Sequence, residues 1–406
     1  MPPPMPWRRV WVLSAAQAVF MTTINITLII TSLVGALIAP QIWLATLPLS
    51  LTFIASMVTT LPASLLMGRL GRLPVFLGGA AIGTASCFGL AYATIAQDFT
   101  LYMLMSAGLG VMHGVAQFYR YAAADDVPPQ NQPLAVSLVL AGGILAAILG
   151  GTLARLSFTL IDGHIYAGCF LIAGGVQASA LVILSFLPKT PASPISAKTA
   201  TSQATPRPLL SFIKNAKFTA GLISATLGFA VMSFVMTATP LQIVHAEHMS
   251  NASNAIIIQW HLLAMFAPSL ATGWVIKRIG VLPVLWAGVG FYVAVLLATF
   301  AGSSFWHYFA ALFFLGLGWN LLFVGGSSII AQATRPHERP KVQGVADLLI
   351  TAMSALASLL AASLHYLLGW KLMITASMLV VAIIAISIAM AHTEKAPPAT
   401  PKLALK

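Results

Sequence analysis

The chain has 406 residues, of which 59% are hydrophobic and only 7% are charged, and its mean hydropathy is +0.93. Soluble domains are roughly 45–50% apolar and about 25% charged, so the composition excludes an ordinary soluble protein and favours one that folds in lipid. A net charge of +12 would suit nucleic-acid binding only if the basic residues clustered on a solvated face, whereas here they stand singly or in pairs between apolar runs.

Twelve runs are apolar and long enough to cross a bilayer, which takes about 20 residues of helix. In chain order, the predicted spans are residues 11–32, 42–67, 73–94, 99–124, 134–158, 165–187, 217–243, 254–276, 282–300, 306–330, 341–368 and 371–390. We expect helices because a helix satisfies its own backbone hydrogen bonds in lipid. The first run follows Arg8 and Arg9 as a signal peptide would, but its length predicts an uncleaved first helix.

The basic residues predict how the spans are oriented. If the N-terminus lies in the cytoplasm and the chain alternates, 18 of the 20 Lys and Arg residues fall on the cytoplasmic side. Only Arg155 and Lys371 fall on the opposite side. This asymmetry follows the positive-inside rule, so we expect both termini in the cytoplasm. The net charge is then explained by topology, without an anionic partner.

Residues 188–211, PKTPASPISAKTATSQATPRPLLS, form the one long polar stretch inside the chain. Pro, Ser, Thr and Ala dominate it, as is typical of a flexible linker. It divides the spans six and six. The sequence therefore predicts an N-terminal six-helix bundle over residues 1–187, a cytoplasmic linker, a C-terminal six-helix bundle over residues 212–392 and a cytoplasmic tail at 393–406.

The two halves also share short motifs at nearly one offset. GRLGRLPVF at 68–76 aligns with KRIGVLPVL 209 residues later, and GLG at 108–110 aligns with a second GLG 208 residues later. Pro128 aligns with Pro336 at the latter offset. Three matches in order predict an internal repeat. Parallel repeats of this kind imply two bundles related by an axis along the membrane normal, with a central cavity between them.

The chain resembles the major facilitator superfamily over about residues 8–392. The family's loop between helices 2 and 3 has the form Gly-x-x-x-Asp-Arg-x-Gly-Arg, and SLLMGRLGR at 64–72 keeps Arg69 and Arg72 but lacks the Asp. In the second half, GWVIKRIG at 273–280 keeps Arg278 and has Lys at the acid position. The resemblance implies an all-α membrane protein of the bacterial inner membrane, with twelve transmembrane helices in two pseudo-symmetric six-helix bundles. It also implies that these three arginines lie in gating loops.

Helix 5 contains GGILAAILGG at 142–151, which resembles the Gly-x-x-x-Gly-Pro-x-x-Gly-Gly pattern of family exporters that exchange a solute for a proton. Three glycines fit this pattern, whereas Ala146 and Ala147 replace the Gly-Pro pair. Small residues also let helices approach closely. The segment therefore predicts either close helix packing or an antiporter.

Helix 4 carries His113, Gln117 and Arg120 at i, i+4 and i+7, which places them on one face. Ionisable residues within a span are functional candidates. Arg120 and Asp347 of helix 11 lie at similar predicted depths, and in the family helices 4 and 11 meet at the cytoplasmic gate. One hypothesis is that Arg120 pairs with Asp347 when this gate closes. The alternatives are snorkelling or local pairing with Asp125, and contact with an anionic substrate.

Amide, imidazole and indole groups recur near mid-membrane depth, where a transporter built from repeats binds its substrate. They suit a flat, polar organic molecule, although each alone could also make an interhelical hydrogen bond. The substrate-binding candidates are Asn25, His113, Gln117, Gln259, His261, Trp319 and Asn320. The gating candidates are Arg120, Asp347, Arg69, Arg72 and Arg278.

These features predict a secondary transporter that moves a small organic solute by alternating access, as a monomer in the bilayer. We expect no enzyme chemistry, no cofactor, no metal site and no nucleic-acid partner. The proton is the candidate coupling ion, through Asp347, His113 or His261, and the helix 5 pattern favours export by antiport. The alternatives are an importer of a small nutrient, such as a vitamin or an organic acid, and a non-transporting membrane sensor on the same fold.

Overall fold

The computed structural model describes residues 7–124, 127–128, 132–187, 207–335 and 338–393, and every regular element in these ranges is a helix. The helices are α1 (Trp7–Ile38), α2 (Leu47–Leu70), α3 (Arg72–Ala96), α4 (Phe99–Ala116), α5 (Tyr119–Ala124), α6 (Gln132–Ser157), α7 (Ala167–Ser185), α8 (Leu209–Ile213), α9 (Ala216–Pro240), α10 (Asn251–Phe266), α11 (Ser269–Ile279), α12 (Val281–Ala301), α13 (Phe305–Ala333) and α14 (Arg339–Thr393). A 3-10 turn (Ile42–Leu44) precedes α2, and a π-helical turn (Leu241–Ala246) continues α9.

Within the described ranges, nine helical segments are long and apolar enough to cross a membrane. The pair α10 and α11, bent by 41° at its break, makes a tenth. In addition, α14 leaves helical geometry at Gly369, between the predicted spans 341–368 and 371–390. Predicted span 134–158 coincides with α6, whose apolar part is Ala141–Ser157. The all-helical membrane fold is confirmed, while the count of twelve spans stays a prediction.

The outer surface of the helices is apolar. Leu61 is 68% exposed, Leu104 63%, Leu297 65% and Leu379 72%. Soluble monomers rarely leave large contiguous apolar patches in water, whereas lipid solvates such side chains. The chain is therefore an integral membrane protein that crosses the bilayer several times.

Two equivalent glycines reveal the internal repeat in the backbone. Gly71 joins α2 to α3 at φ 82° and ψ 167°, and Gly280 joins α11 to α12 at φ 87° and ψ 166°. Residues with a Cβ rarely adopt this conformation. The same turn therefore recurs at the 209-residue offset found in the sequence, as expected of two repeats.

Helices α1–α7 pack mainly on one another, and so do α9–α14; we call these groups the N-terminal half and the C-terminal half. Most of the predicted linker, and the whole predicted tail beyond Thr393, lie outside the described residues. The end of the predicted linker is helical, because α8 begins at Leu209. Phe212 of α8 is buried against Phe218 and Val342, which explains why this short segment folds onto the C-terminal half.

The side of the bundle at which α1 begins is called the Trp7 face, and the side at which α1 ends is called the Ile38 face. Hydrogen bonds join the two halves at the Ile38 face. The Tyr166 hydroxyl donates to Asn251 Oδ1 (2.6 Å), and Asn254 Nδ2 donates to the carbonyl of Ile29 (3.3 Å). Further contacts here are Ser50 with Ser358 (3.2 Å) and the cluster of Ala45, Leu241 and Ala362.

Toward the Trp7 face, by contrast, the first turns of α14 stand apart from the N-terminal half. Gly344, Val345, Asp347, Leu348 and Leu349 are all exposed. These positions cover more than half of the circumference of the helix, so lipid alone does not account for them. The halves are thus joined at the Ile38 face and diverge toward the Trp7 face.

Candidate functional site

The polar stripe predicted on the fourth span begins beside α1. The rings of His113 and Phe20 have their centroids 5.4 Å apart, and Gln117 Nε2 lies 2.9 Å from His113 Nε2. The helix is interrupted after Ala116, and the stripe continues on the short helix α5 with Arg120. His113 and Gln117 are therefore brought together by a direct hydrogen bond.

Arg120 and Asp347 act on each other electrostatically from opposite halves. Within the described part of the chain they do not form an ion pair; the Arg120 guanidinium instead donates to the Tyr121 hydroxyl (3.1 Å) and lies 4.9 Å from that ring. Asp347 is exposed on α14. Asp125, the alternative partner, lies outside the described residues. This conformation thus holds the two charges apart, across the side on which the halves diverge.

The other gating candidates lie at the ends of helices. Arg69 and Arg278 occupy the last turns of α2 and α11, where a positive charge interacts favourably with the helix dipole. Both are exposed, and the Arg278 guanidinium lies 4.3 Å from the ring centroid of Trp274. Arg72 is half-buried at the start of α3. The equivalent placement of Arg69 and Arg278 follows the internal repeat.

Asn320 bridges α13 to the break between α10 and α11. Its Nδ2 donates to the Met265 carbonyl (2.7 Å) and to Ser269 Oγ (2.5 Å), and its Oδ1 accepts from the Thr272 hydroxyl (2.7 Å). Proline at 268 has no N–H, so neighbouring carbonyls lose helical partners at this break. Asn320 replaces one of these missing bonds, and in this conformation it has a packing role.

His261 and Gln259 also make contacts between helices. His261 is fully buried, with Nδ1 2.7 Å from the Leu312 carbonyl, and its Nε2 has no partner among the described residues. Gln259 Nε2 donates to the Ile148 carbonyl (3.1 Å), which links α10 to α6 in the other half. A Cβ at Gly151 would lie 2.7 Å from Gln259 Cβ, so the glycine permits this approach.

The glycines of the fifth predicted span belong to α6, and they lie where α6 packs closely on α1. A Cβ at Gly142 would lie 3.0 Å from Ala18 N, and one at Gly150 would lie 2.6 Å from Asn25 Cβ. Side chains here would force the helices apart. Close packing therefore accounts for these glycines. Asn25 itself is buried beside Gly150, and its Nδ2 lacks a hydrogen-bond partner in the described part of the chain.

Three phenylalanine side chains surround Trp319, and we call these four residues the aromatic cluster. Trp319 is stacked on Phe323 (centroids 4.9 Å apart, planes at 8°) and meets Phe229 and Phe266 edge-on, at 5.4 Å and 6.0 Å. Trp319 and Phe229 lie near the middle of their helices, so the cluster is at mid-membrane depth. A Cβ at Gly143 would lie 3.5 Å from the Phe266 ring, so the cluster reaches α6 of the N-terminal half.

The aromatic cluster offers flat apolar faces and one hydrogen-bond donor. The three phenylalanines are half-buried, and Trp319 Nε1 is buried without a partner among the residues that the structure describes. Sequence reasoning found Trp319 alone. The spacing of Trp319 and Phe323, i and i+4 on one helix, was a usable signal, whereas Phe229 and Phe266 join only through tertiary packing.

Comparison with known proteins places the chain in a family. The chain belongs to the major facilitator superfamily, whose sequence model matches residues 10–259 and 243–405. It is 33% identical over 367 residues to the riboflavin transporter RfnT of Brucella anthropi, covering 90% of each chain. It is 30% identical over 354 residues to YdeG of Bacillus subtilis strain 168, described as an uncharacterized MFS-type transporter, covering 82% of each chain.

A third relative is YddS of Bacillus subtilis strain 168, another uncharacterized MFS-type transporter. It is 27% identical over 342 residues, which cover 79% of this chain and 77% of the relative. The two matches to the family model begin in different halves of the chain, and the first extends into the C-terminal half. The family predicted from the sequence is thereby confirmed.

Proposed function

We propose that this protein is a secondary transporter that moves a flat, polar organic solute by alternating access, and that riboflavin is the first solute to test. The aromatic cluster carries the proposal, because its stacked faces lie at mid-membrane depth beside the boundary between the halves. Riboflavin has a flat heteroaromatic ring system that such faces can stack against. The relative RfnT, named a riboflavin transporter, aligns over 90% of the chain.

We further propose that the Trp7 face is cytoplasmic, because 18 of the 20 basic residues fall on that side when the spans alternate. Both termini are then in the cytoplasm of a bacterial cell, and the present conformation is open inward. In the alternating-access cycle, the Ile38 face must open while the Trp7 face closes.

In this cycle, Arg120 and Asp347 are proposed to form an ion pair only when the Trp7 face closes, which agrees with their separation in the present conformation. They lie on opposite halves at the open face, and they would approach when that face closes. We propose that their ion pair stabilises the outward-open state. A proton on Asp347 would weaken this pair, so Asp347 is the proposed coupling site. A secondary transporter is reversible, so the direction of net transport follows the solute and proton gradients.

Purified protein in liposomes tests the proposal, with riboflavin fluorescence as the readout and a pH gradient of either sign. We expect saturable riboflavin flux that changes with the gradient and with the variant Phe266→Ala. Phe309→Ala is the matched control, since Phe309 lies in a separate aromatic group with Trp306, which is 70% exposed. Binding of riboflavin without flux would contradict transport and favour a sensor. Absence of binding would reject this solute.

A further inference from the structure

A cavity lies at the Ile38 face inside the C-terminal half, away from the aromatic cluster. Its volume is about 380 Å³, and its walls come from the ends of α9 and α12, the start of α13 and the kink of α14. The side chains that matter for binding are Gln242, Glu247, Tyr308, Trp370 and Lys371. These residues were absent from the sequence-based candidates.

One side of this cavity is acidic and rigid. Glu247 Oε1 accepts hydrogen bonds from Gln242 Nε2 (2.9 Å) and from the Tyr308 hydroxyl (2.7 Å). Gln242 is itself held by His365, whose Nε2 lies 2.8 Å from Gln242 Oε1. Both donors to Glu247 use Oε1, so Oε2 is available to accept from a ligand. A carboxylate fixed in this way suits a primary ammonium group.

The other side of the cavity offers donors and positive charge. Trp370 is only 6% exposed, and its Nε1 has no hydrogen-bond partner in the described ranges. Buried donors usually have partners, so this group indicates a missing acceptor. Lys371 follows it, at the beginning of the second segment of α14, where the first-turn N–H groups also favour an anion. Among the described residues, Glu247 and Lys371 form no ion pair, so the two charges do not neutralise each other directly.

An apolar flank adjoins the basic side. Phe300 lies under Lys371, with its ring centroid 5.9 Å from the ammonium nitrogen. Phe300 is 57% exposed, Leu368 37% and Leu372 55%. These side chains lie where spans α12 and α14 reach the membrane surface, so they can contact acyl chains. A small soluble zwitterion would leave these apolar side chains without a binding partner.

We propose that this cavity binds the headgroup of an ethanolamine phospholipid. The lipid ammonium donates to Glu247, the phosphate accepts from Trp370 Nε1 and Lys371, and the acyl chains lie along the apolar flank. This binding site is independent of the transported solute. Ethanolamine is favoured over choline because a primary ammonium can donate hydrogen bonds to Glu247 and a quaternary one cannot.

Native mass spectrometry of the purified protein tests this site, with phosphatidylethanolamine, phosphatidylcholine and phosphatidylglycerol of matched acyl chains as the probes. We expect phosphatidylethanolamine to bind about tenfold more tightly than phosphatidylcholine. Glu247→Gln should abolish that preference. Lys371→Met and Trp370→Phe should instead weaken the binding of both lipids, and Trp370→Phe keeps an aromatic ring in place. Arg155→Met is the control, because Arg155 is the other basic residue predicted on this face and it does not line the cavity.

Thermal unfolding without added lipid checks that each variant is folded. Equal binding of the ethanolamine and choline lipids by the native protein would overturn the role of Glu247. Unchanged binding in Lys371→Met would overturn the phosphate contact. Soluble phosphoethanolamine that binds without displacing the lipid, or binds where the lipid does not, would reject a lipid headgroup in this cavity.

Discussion

Tyr166 and Asn251 connect the two halves at the Ile38 face through a hydrogen bond of 2.6 Å from the Tyr166 hydroxyl to Asn251 Oδ1. Tyr166 adopts a left-handed backbone conformation (φ 71°) just before α7, and its ring packs edge-on against Phe158. The loop that carries the hydroxyl is therefore well fixed, and the contact stabilises closure of this face.

Tyr166→Phe should shift the protein toward opening of the Ile38 face, because it removes the bridging hydroxyl but keeps the ring. A hydrogen bond contributes about 1 kcal/mol net, so the open population should rise roughly fivefold. Labelling of Ser50→Cys by a membrane-impermeant thiol reagent would report this opening, since Ser50 is fully buried at the closed face.

Cys87 and Cys169 are buried, so they should add little background to this labelling. The matched control is Tyr92→Phe, because Tyr92 is 64% exposed on the outside of α3. Equal labelling rates in the native protein and in Tyr166→Phe would show that this contact does not hold the face closed.

The proposed gate between Arg120 and Asp347 predicts charge-swap rescue. Arg120→Asp and Asp347→Arg should each reduce transport at least tenfold, because each places like charges at the closing face. The double variant restores opposite charges and should recover much of the flux. Lys214→Asp, on an exposed lysine just after α8, is the comparison, because Lys214 is not a gating candidate. A double variant as inactive as the singles would argue against direct pairing.

Trp319 should contribute to solute affinity through its ring more than through its indole N–H. Trp319→Ala removes the stacked face shared with Phe323, so the apparent KM should rise about tenfold, whereas Trp319→Phe should raise it less. The two variants separate stacking from hydrogen bonding in the liposome flux assay. Identical KM values for both variants and the native protein would remove Trp319 from the site.

The length of the apolar runs was sufficient to predict most of the long helices, because a span in lipid must be long, apolar and helical. The predicted 99–124 corresponds to α4 and α5 together, and 254–276 corresponds to α10 and α11. The breaks within these two spans were not predicted. Pro268 lies at one of these breaks and was a visible signal, whereas the break after Ala116 has only Gly114 nearby and no Pro.

The candidate site was harder to predict, since a polar residue in a span can serve a ligand or another helix. Asn320 and His261 both contact backbone carbonyls of neighbouring helices. Those acceptors depend on which helices meet, which a single sequence does not specify. Phe229 and Phe266 were not predicted for the same reason, because they lie on other helices and reach Trp319 only in the folded protein.

The packing role of Asn320 predicts a loss of stability rather than of substrate recognition. Asn320→Leu keeps the approximate size but removes the hydrogen bonds to the Met265 carbonyl and Ser269 Oγ. The expected cost is about 1–3 kcal/mol, seen as a lower unfolding temperature in detergent. Unchanged stability with a raised KM would instead identify Asn320 as a solute contact.

The ion pair between Arg207 and Glu338 predicts a pH-dependent contribution to stability. Hydrogen bonds from the Arg207 guanidinium to Glu338, at 2.9 Å and 2.7 Å, hold the pKa of that carboxyl well below its usual range. The unfolded state therefore binds the proton more readily than the folded state. The stabilisation is complete above the usual carboxyl pKa, about 4.3, and it is lost as the pH falls below that value toward the folded-state pKa.

Arg207→Gln should remove this stabilisation. The unfolding temperature of the variant should therefore be lower than that of the native protein at neutral pH, and the two should converge in acid. Arg278→Gln is the control, because Arg278 stacks on exposed Trp274 outside this ion pair. Parallel pH profiles for the native protein and Arg207→Gln would contradict the assignment. Because Arg207 lies near the end of the predicted linker and Glu338 precedes α14, a convergent result would also show that the end of this linker supports the helix that carries Asp347.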